Sequence, residues 1–211
     1  MTSQDKRPLL PCGGGVGEEG RANAPTSQDL HAPHPPTPSP QGRGGVVYRD
    51  AVEGDGEELS AFARASWVAT FGHLPYPPDD LATYLAKSYG AEIQCAEIAD
   101  PDVRYRLALR GDAIVGYCMM GVLSMPVEDG LELHRLYVDE SVKGAGVAGA
   151  LMDDAIAWAR ARGAAALYLS VWEHNERAQR FYRRFGFQDF SEWKFMVGET
   201  ADRDLIWRLA L

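Results

Sequence analysis

The sequence predicts an α/β domain, a mixed sheet of about seven strands flanked by about four helices lying on both of its faces. Three observations lead there. Short apolar runs dominate the early part of the domain, two of them joined by Gly111-Asp112 as a tight turn. Other segments repeat apolar residues three and four apart, the spacing of amphipathic helices. Beyond Leu131 the chain alternates strand, helix and strand.

In order, residues 46–52 read as a first strand. Residues 55–71 align Leu59, Phe62, Ala63, Trp67 and Phe71 on one helical face. Pro75, Pro77 and Pro78 interrupt the chain before a second helix over 79–89, which opens on Asp79 and Asp80. Residues 103–109 and 113–123 form paired strands, and 125–130 a loop. In the strand 131–138, Leu131 and Leu133 share one parity whereas Leu136 and Val138 share the other. Keeping all four inside requires an extra residue near His134-Arg135, a β-bulge. A helix over 146–162 turns Val147, Leu151, Ala155, Ile156 and Ala159 inward and ends at Gly163. Residues 165–171 are an apolar strand and 175–185 a helix stopped by Gly186; strands 187–197 and 204–209 close the sheet.

The first 45 residues hold eight of the 13 prolines and eight of the 22 glycines, without any Ile, Phe, Tyr or Trp. Such a segment cannot bury enough apolar surface to offset its ordering entropy, so a disordered tail at 1–45 precedes a domain at 46–211. Residues 33–40 offer proline-rich adaptor binding, and a translation start near Val46 is the other reading of this tail. Lys6, Arg7, Arg21 and Arg43 cancel Asp5, Glu18, Glu19 and Asp29, leaving the whole net charge of −9 on the domain. An acidic body argues against nucleic acid as a partner and suits a cationic substrate. Cys12, Cys95 and Cys118 have no pairing spacing, which points to the reducing cytoplasm. No apolar run reaches the roughly 18 residues of a membrane span. The histidines His31, His34, His73 and His174 lack ligand spacing, so no metal site is expected.

Gly144-Ala145-Gly146-Val147-Ala148-Gly149 fits the dinucleotide fingerprint, and Glu173 falls a little over twenty residues beyond it. Against that reading, five residues separate Val138 from Gly144, where the first glycine should leave the strand directly. Only 62 residues follow Gly149, too few to complete a doubly wound sheet. What stays is the physics of the loop, glycines that bring backbone N–H groups to an anion at a helix N-terminus.

Taken with its flanks, this stretch resembles the GCN5-related N-acetyltransferase (GNAT) superfamily over residues 46–211, most specifically 132–187. Lys143 to Ala148 follow the Q/R-x-x-G-x-G/A loop, with lysine in place of Gln or Arg and so without planar bidentate contacts. Asn175, Ala178, Phe181, Tyr182, Gly186 and Phe187 fill N-x-x-A-x-x-F-Y-x-x-x-G-F. The resemblance implies a splayed sheet binding acetyl-CoA as co-substrate. It implies that Leu136, Tyr137 and Val138 pair with the pantetheine arm, and that Lys143, Gly144, Ala145, Gly146, Val147, Ala148 and Gly149 hold the diphosphate. By the same resemblance Asn175 would contact the pantetheine region and Tyr182 would protonate the departing thiolate. Trp172-Glu173-His174-Asn175 and Phe195-Met196-Val197-Gly198 are similar to the spermine/spermidine-type branch, and a homodimer is plausible by the same analogy.

An amine with a pKa of about 10.4 is neutral in only about one molecule in 2,500 at pH 7, so a base helps the attack. Glu132 and His134 are the candidates beside the bulge, and Leu169-Ser170-Val171-Trp172 offers no carboxylate. Trp67, Phe71, Tyr76 and Tyr84 are either helix packing or the wall of an amine pocket. Asp79, Asp80, Glu128 and Asp129 are either a solvated face or an attraction for a polyamine. The function expected is therefore acetyl transfer to a small-molecule primary amine. A non-catalytic acyl-CoA-binding module and a protein N-terminal or lysine acetyltransferase are the alternatives.

Overall fold

The structure, a computed structural model, describes residues 45–211. The expected tail therefore lies outside the described residues. The chain runs β1 (Val46–Asp50), α1 (Gly56–Phe71), α2 (Pro78–Tyr89), α3 (Ala91–Ala99), β2 (Arg104–Arg110), β3 (Ala113–Gly121) and β4 (Leu131–Val138). It continues through α4 (Val147–Ala161), β5 (Ala166–Trp172), α5 (Glu176–Arg184), β6 (Gln188–Val197) and β7 (Thr200–Ala210). Seven strands form one sheet in the order β1-β2-β3-β4-β5-β7-β6. The β4–β5 pair is parallel and the other pairs are antiparallel.

Two cores sandwich the sheet. On one face α4 and α5 cover Leu133, Leu167, Leu169, Val171 and Trp207. On the other, α1 and α2 bring Leu59, Trp67, Leu85 and Tyr89 onto Leu107, Tyr117 and Met119. The helix α3 has no counterpart in the sequence expectation. Its buried residue is Gln94, held by Glu97 and the Tyr105 hydroxyl, while Ile93 and Ile98 are only partly buried. No apolar stripe announces it.

The expected bulge is present. Met119 faces Arg135 and Met120 faces Leu133, which leaves His134 as the extra residue. The parity switch lets Leu131, Leu133, Leu136 and Val138 all pack toward α4 and α5. It also brings Glu132, Arg135 and Tyr137 to the opposite face. Room for the imidazole comes from Gly121, where a Cβ would stand 3.1 Å from His134 Nε2.

Candidate active site

Strands β4 and β5 pair only at Leu131–Leu167 and Glu132–Tyr168. Beyond those two rungs the strands part, and the facing edges of β4 and β5 keep backbone groups without a strand partner. A cleft of about 1330 Å³ opens there, larger than the roughly 300–1,000 Å³ of ordinary ligand pockets. Leu136, Tyr137 and Val138 form one wall; Asn175, Ala178 and Tyr182 form the other.

The glycine loop closes one end. Gly144 (φ 79°) and Gly146 (φ 84°) adopt left-handed conformations that favour glycine, and Gly146 is the N-cap of α4. No side chain caps this helix, and its first acceptance is by the Gly146 carbonyl from the Ala150 N–H. The N–H groups of Val147, Ala148 and Gly149 therefore point out of the first turn toward the cleft those residues line. The loop carries no acid in the helix's first turn, so the dipole there is unopposed. Two residues of the expected set differ. Ala145 does not line the cleft, and its N–H donates to Val142 O at 3.1 Å. The Lys143 N–H is likewise committed to Glu140 O, and its ammonium meets the Glu140 carboxylate. Arg177, exposed on α5 at the same mouth, is a cation the motif reading missed.

Asn175 has a local task that explains its place in the motif: its Oδ1 accepts from the Ala178 N–H at 3.1 Å, capping α5. Asn175 itself lines the cleft. Tyr182, two turns on, packs against Phe181 and Phe187 and lines the same cleft. Burial alone pushes its phenol up to about 12, so it carries its proton at neutral pH.

Glu132 and His134 are brought together as expected, but each is occupied by the other. Glu132 Oε1 lies 3.0 Å from His134 Nδ1, and Oε2 accepts from the Ser124 N–H at 2.7 Å. Burial pushes the Glu132 carboxyl up, and the hydrogen bonds from His134 and Ser124 outweigh it and hold the carboxyl below its usual value. His134 Nε2 lies 3.1 Å from the Val122 carbonyl, so each ring nitrogen faces an oxygen acceptor. In this arrangement the pair is a fixed bridge across the bulge.

The end of the cleft away from the glycine loop is aromatic and acidic. Trp67 is nearly enclosed, with Tyr84 at 5.0 Å, Phe71 at 5.3 Å and Tyr76 at 5.8 Å between ring centroids. These rings pack on one another, as helix packing requires, and also line the cleft. Asp79, Asp80, Glu128 and Asp129 do not line it; Asp80 instead accepts from Thr200 Oγ1. The acids at this end are Asp202 and Asp204 of β7. Asp202 accepts from the Tyr76 hydroxyl. Asp204, which sequence reasoning missed, is 6 % exposed and accepts from Ser170 Oγ at 3.0 Å. Its signal was an acid on the same strand parity as the buried Ile206.

The profile of the Acetyltransferase (GNAT) family matches residues 59–187. The chain belongs to the GNAT acetyltransferase family. Among its relatives, an uncharacterised N-acetyltransferase of Lactobacillus delbrueckii subsp. lactis is 33 % identical over 79 % of this chain and 98 % of its own length. A spermine/spermidine N(1)-acetyltransferase of Bacillus subtilis is 35 % identical over 44 % of this chain and 67 % of its own. Among solved structures, the PaiA N-acetyltransferase of Thermoplasma acidophilum, in complex with coenzyme A, superposes with a TM-score of 0.64. That likeness covers 79 % of this chain and 99 % of the other at 20 % identity, and so concerns the fold. This GNAT chain is thus an acyltransferase, and the dinucleotide reading of its glycine loop falls away. Among the described residues no helix is long and apolar enough to cross a membrane.

Proposed function

We propose that this GNAT enzyme transfers the acetyl group of acetyl-CoA to the primary amine of a small molecule by direct attack. The observation that carries the reading is one continuous cleft. It opens between β4 and β5, reaches the uncapped N-terminus of α4 at one end and an aromatic, acidic chamber at the other. The pantetheine arm adds along the open edge at Leu136, Tyr137 and Val138, as a strand would. The amides of Gly144, Val147, Ala148 and Gly149 hold the diphosphate, with Arg177 adding positive charge. Asn175 offers its amide NH₂ to the pantetheine region.

The amine lone pair attacks the thioester carbonyl, whose oxygen becomes an oxyanion against the backbone N–H groups of the open β4 edge. One such donor is typically worth about 10²–10³-fold in rate. As the C–S bond breaks, Tyr182 gives its hydroxyl proton to the sulfur. A phenol at about 12 keeps that proton until the thiolate forms beside it. Glu132 and His134 pin the bulge and keep the β4 edge in register. The Bacillus subtilis relative is named for spermine and spermidine, and polyamines belong on the acceptor panel for that reason.

Thiol release tests the proposal. The protein is incubated with acetyl-CoA and separate pools of polyamines, amino acids, aminosugars and peptides, and free CoA is followed. Turnover with a small amine is expected. Binding of acetyl-CoA without release of thiol across every pool would instead make the chain a cofactor-binding module.

A further inference from the structure

We propose that Asp204, on β7, is the general base that takes the proton from the incoming ammonium. The inference rests on the acetyl-transfer reading above and adds to it the residue that makes the nucleophile. Asp204 lines the acceptor end of the cleft, on the sheet face shared with Ser170, Trp172 and Glu132. Ser170 occupies one oxygen of its carboxylate, and among the described residues no donor meets the other. Among the described residues no Lys, Arg or His pairs with it, although it is almost wholly buried; the neighbouring Arg203 is taken up by Glu173 and Glu192. A buried carboxylate lacking a cation is costly to keep charged. An ammonium entering the aromatic chamber supplies the cation.

Its environment suits the task. Burial raises the carboxyl, Ser170 partly opposes this, and the charges of Asp202 and Glu173 raise it further, to about 6. A base is most useful when its pKa lies close to the working pH. The titratable groups facing it are Asp202 on its own strand, Glu173 beyond β5, and Tyr76, which donates to Asp202. From β6 the residue opposite is Trp193, which is uncharged. Glu132 and His134, the other bases in the cleft, already bridge each other.

The step balances. Asp204 accepts one N–H proton, and the freed lone pair forms the C–N bond to the thioester carbonyl. The C–S bond breaks, the sulfur takes the Tyr182 proton, and the second N–H proton returns to Tyr182 through solvent. Asp204 then releases its own proton to solvent. Ammonium and thioester have become amide, thiol and one proton.

The test is the pH profile of kcat/KM for the best amine of the thiol-release panel. For the native enzyme it should rise to about pH 6 and then level. In Asp204→Asn, kcat at pH 7 should fall by about 10²-fold or more, with KM for acetyl-CoA within about twofold. The break near pH 6 should vanish, leaving activity that climbs tenfold per pH unit with the free amine. In Ser170→Ala the break should move to higher pH while activity at alkaline pH survives, a readout that a packing role would not shift. Native kcat and an unmoved break in Asp204→Asn would overturn the proposal, as would an unmoved break in an active Ser170→Ala. Absence of turnover by the native enzyme with every amine would overturn the acetyl-transfer reading itself.

Discussion

Asp204 should lower the stability of the fold at neutral pH, and Asp204→Asn should recover that loss without any substrate present. The carboxyl is 6 % exposed, and burial first, then repulsion from Asp202 and Glu173, raise it to about 6. In the unfolded chain it titrates at about 3.9. Between those values the folded state binds more protons than the unfolded state, so stability falls as pH rises through that window. The loss is complete above the folded value and absent below the unfolded one. At about 1.4 kcal/mol per pH unit it amounts to about 3 kcal/mol at pH 7. Asparagine keeps the shape and an oxygen for Ser170 while removing the charge. For a domain of this size about 3 kcal/mol is on the order of 6–12 °C in Tm. Urea unfolding of both proteins at pH 7.5 and pH 4 measures it. The variant should be the more stable at pH 7.5, and most of the difference should be gone at pH 4. Equal midpoints at pH 7.5, or a difference unchanged by pH, would refute the account of Asp204 as a buried, unpaired carboxylate.

Other perturbations probe the rest of the cleft. Tyr182→Phe should lower kcat by about 10²–10⁴-fold, the range of general acid help, with acetyl-CoA affinity and Tm little changed because the phenol has no hydrogen bond to lose among the described residues. Unchanged turnover would remove Tyr182 from the reaction. Arg177→Ala should raise KM for acetyl-CoA several-fold at low ionic strength, an effect that fades with added salt as exposed charges are screened; a salt-independent KM would place Arg177 away from the phosphates. Asn175→Ala should cost about 1 kcal/mol of stability through loss of the α5 cap, with a separate rise in acetyl-CoA KM. A stability loss with KM unmoved would confine Asn175 to capping.

The donor half of the cleft was legible because its chemistry is local. Gly144 and Gly146 must adopt φ near 80°, and only a short stretch of sequence is needed to see why glycine stands there. The Asn175–Ala178 spacing is likewise one helical turn, closed by a single hydrogen bond. Even the bulge could be inferred, because two leucines on one parity and an aliphatic pair on the other cannot share a core unless a residue is added between them. Helix α3 escaped because it buries an amide in place of an apolar stripe. Its Gln94 satisfies Glu97 and Tyr105, and no periodicity records that.

The acceptor half was illegible for the opposite reason: it is assembled by pairings distant in sequence. The strand ending at Trp172, β5, carries no carboxylate. The carboxylate is nonetheless beside Ser170, delivered from β7, whose antiparallel register sets Asp204 opposite Trp172. Tyr76 reaches Asp202 in the same way, across 126 positions of chain. A donor site that grips the same diphosphate and thioester can be written as a motif of fixed spacing. The aromatic and acidic end is instead assembled where α1, α2, β5, β6 and β7 meet, from residues that no fixed sequence spacing links. If the proposed acetyl transfer holds, the buried Asp204 carboxylate, which meets no cation among the described residues, is the stronger guide to the acceptor, because a positively charged amine in the cleft would offset its cost to folding.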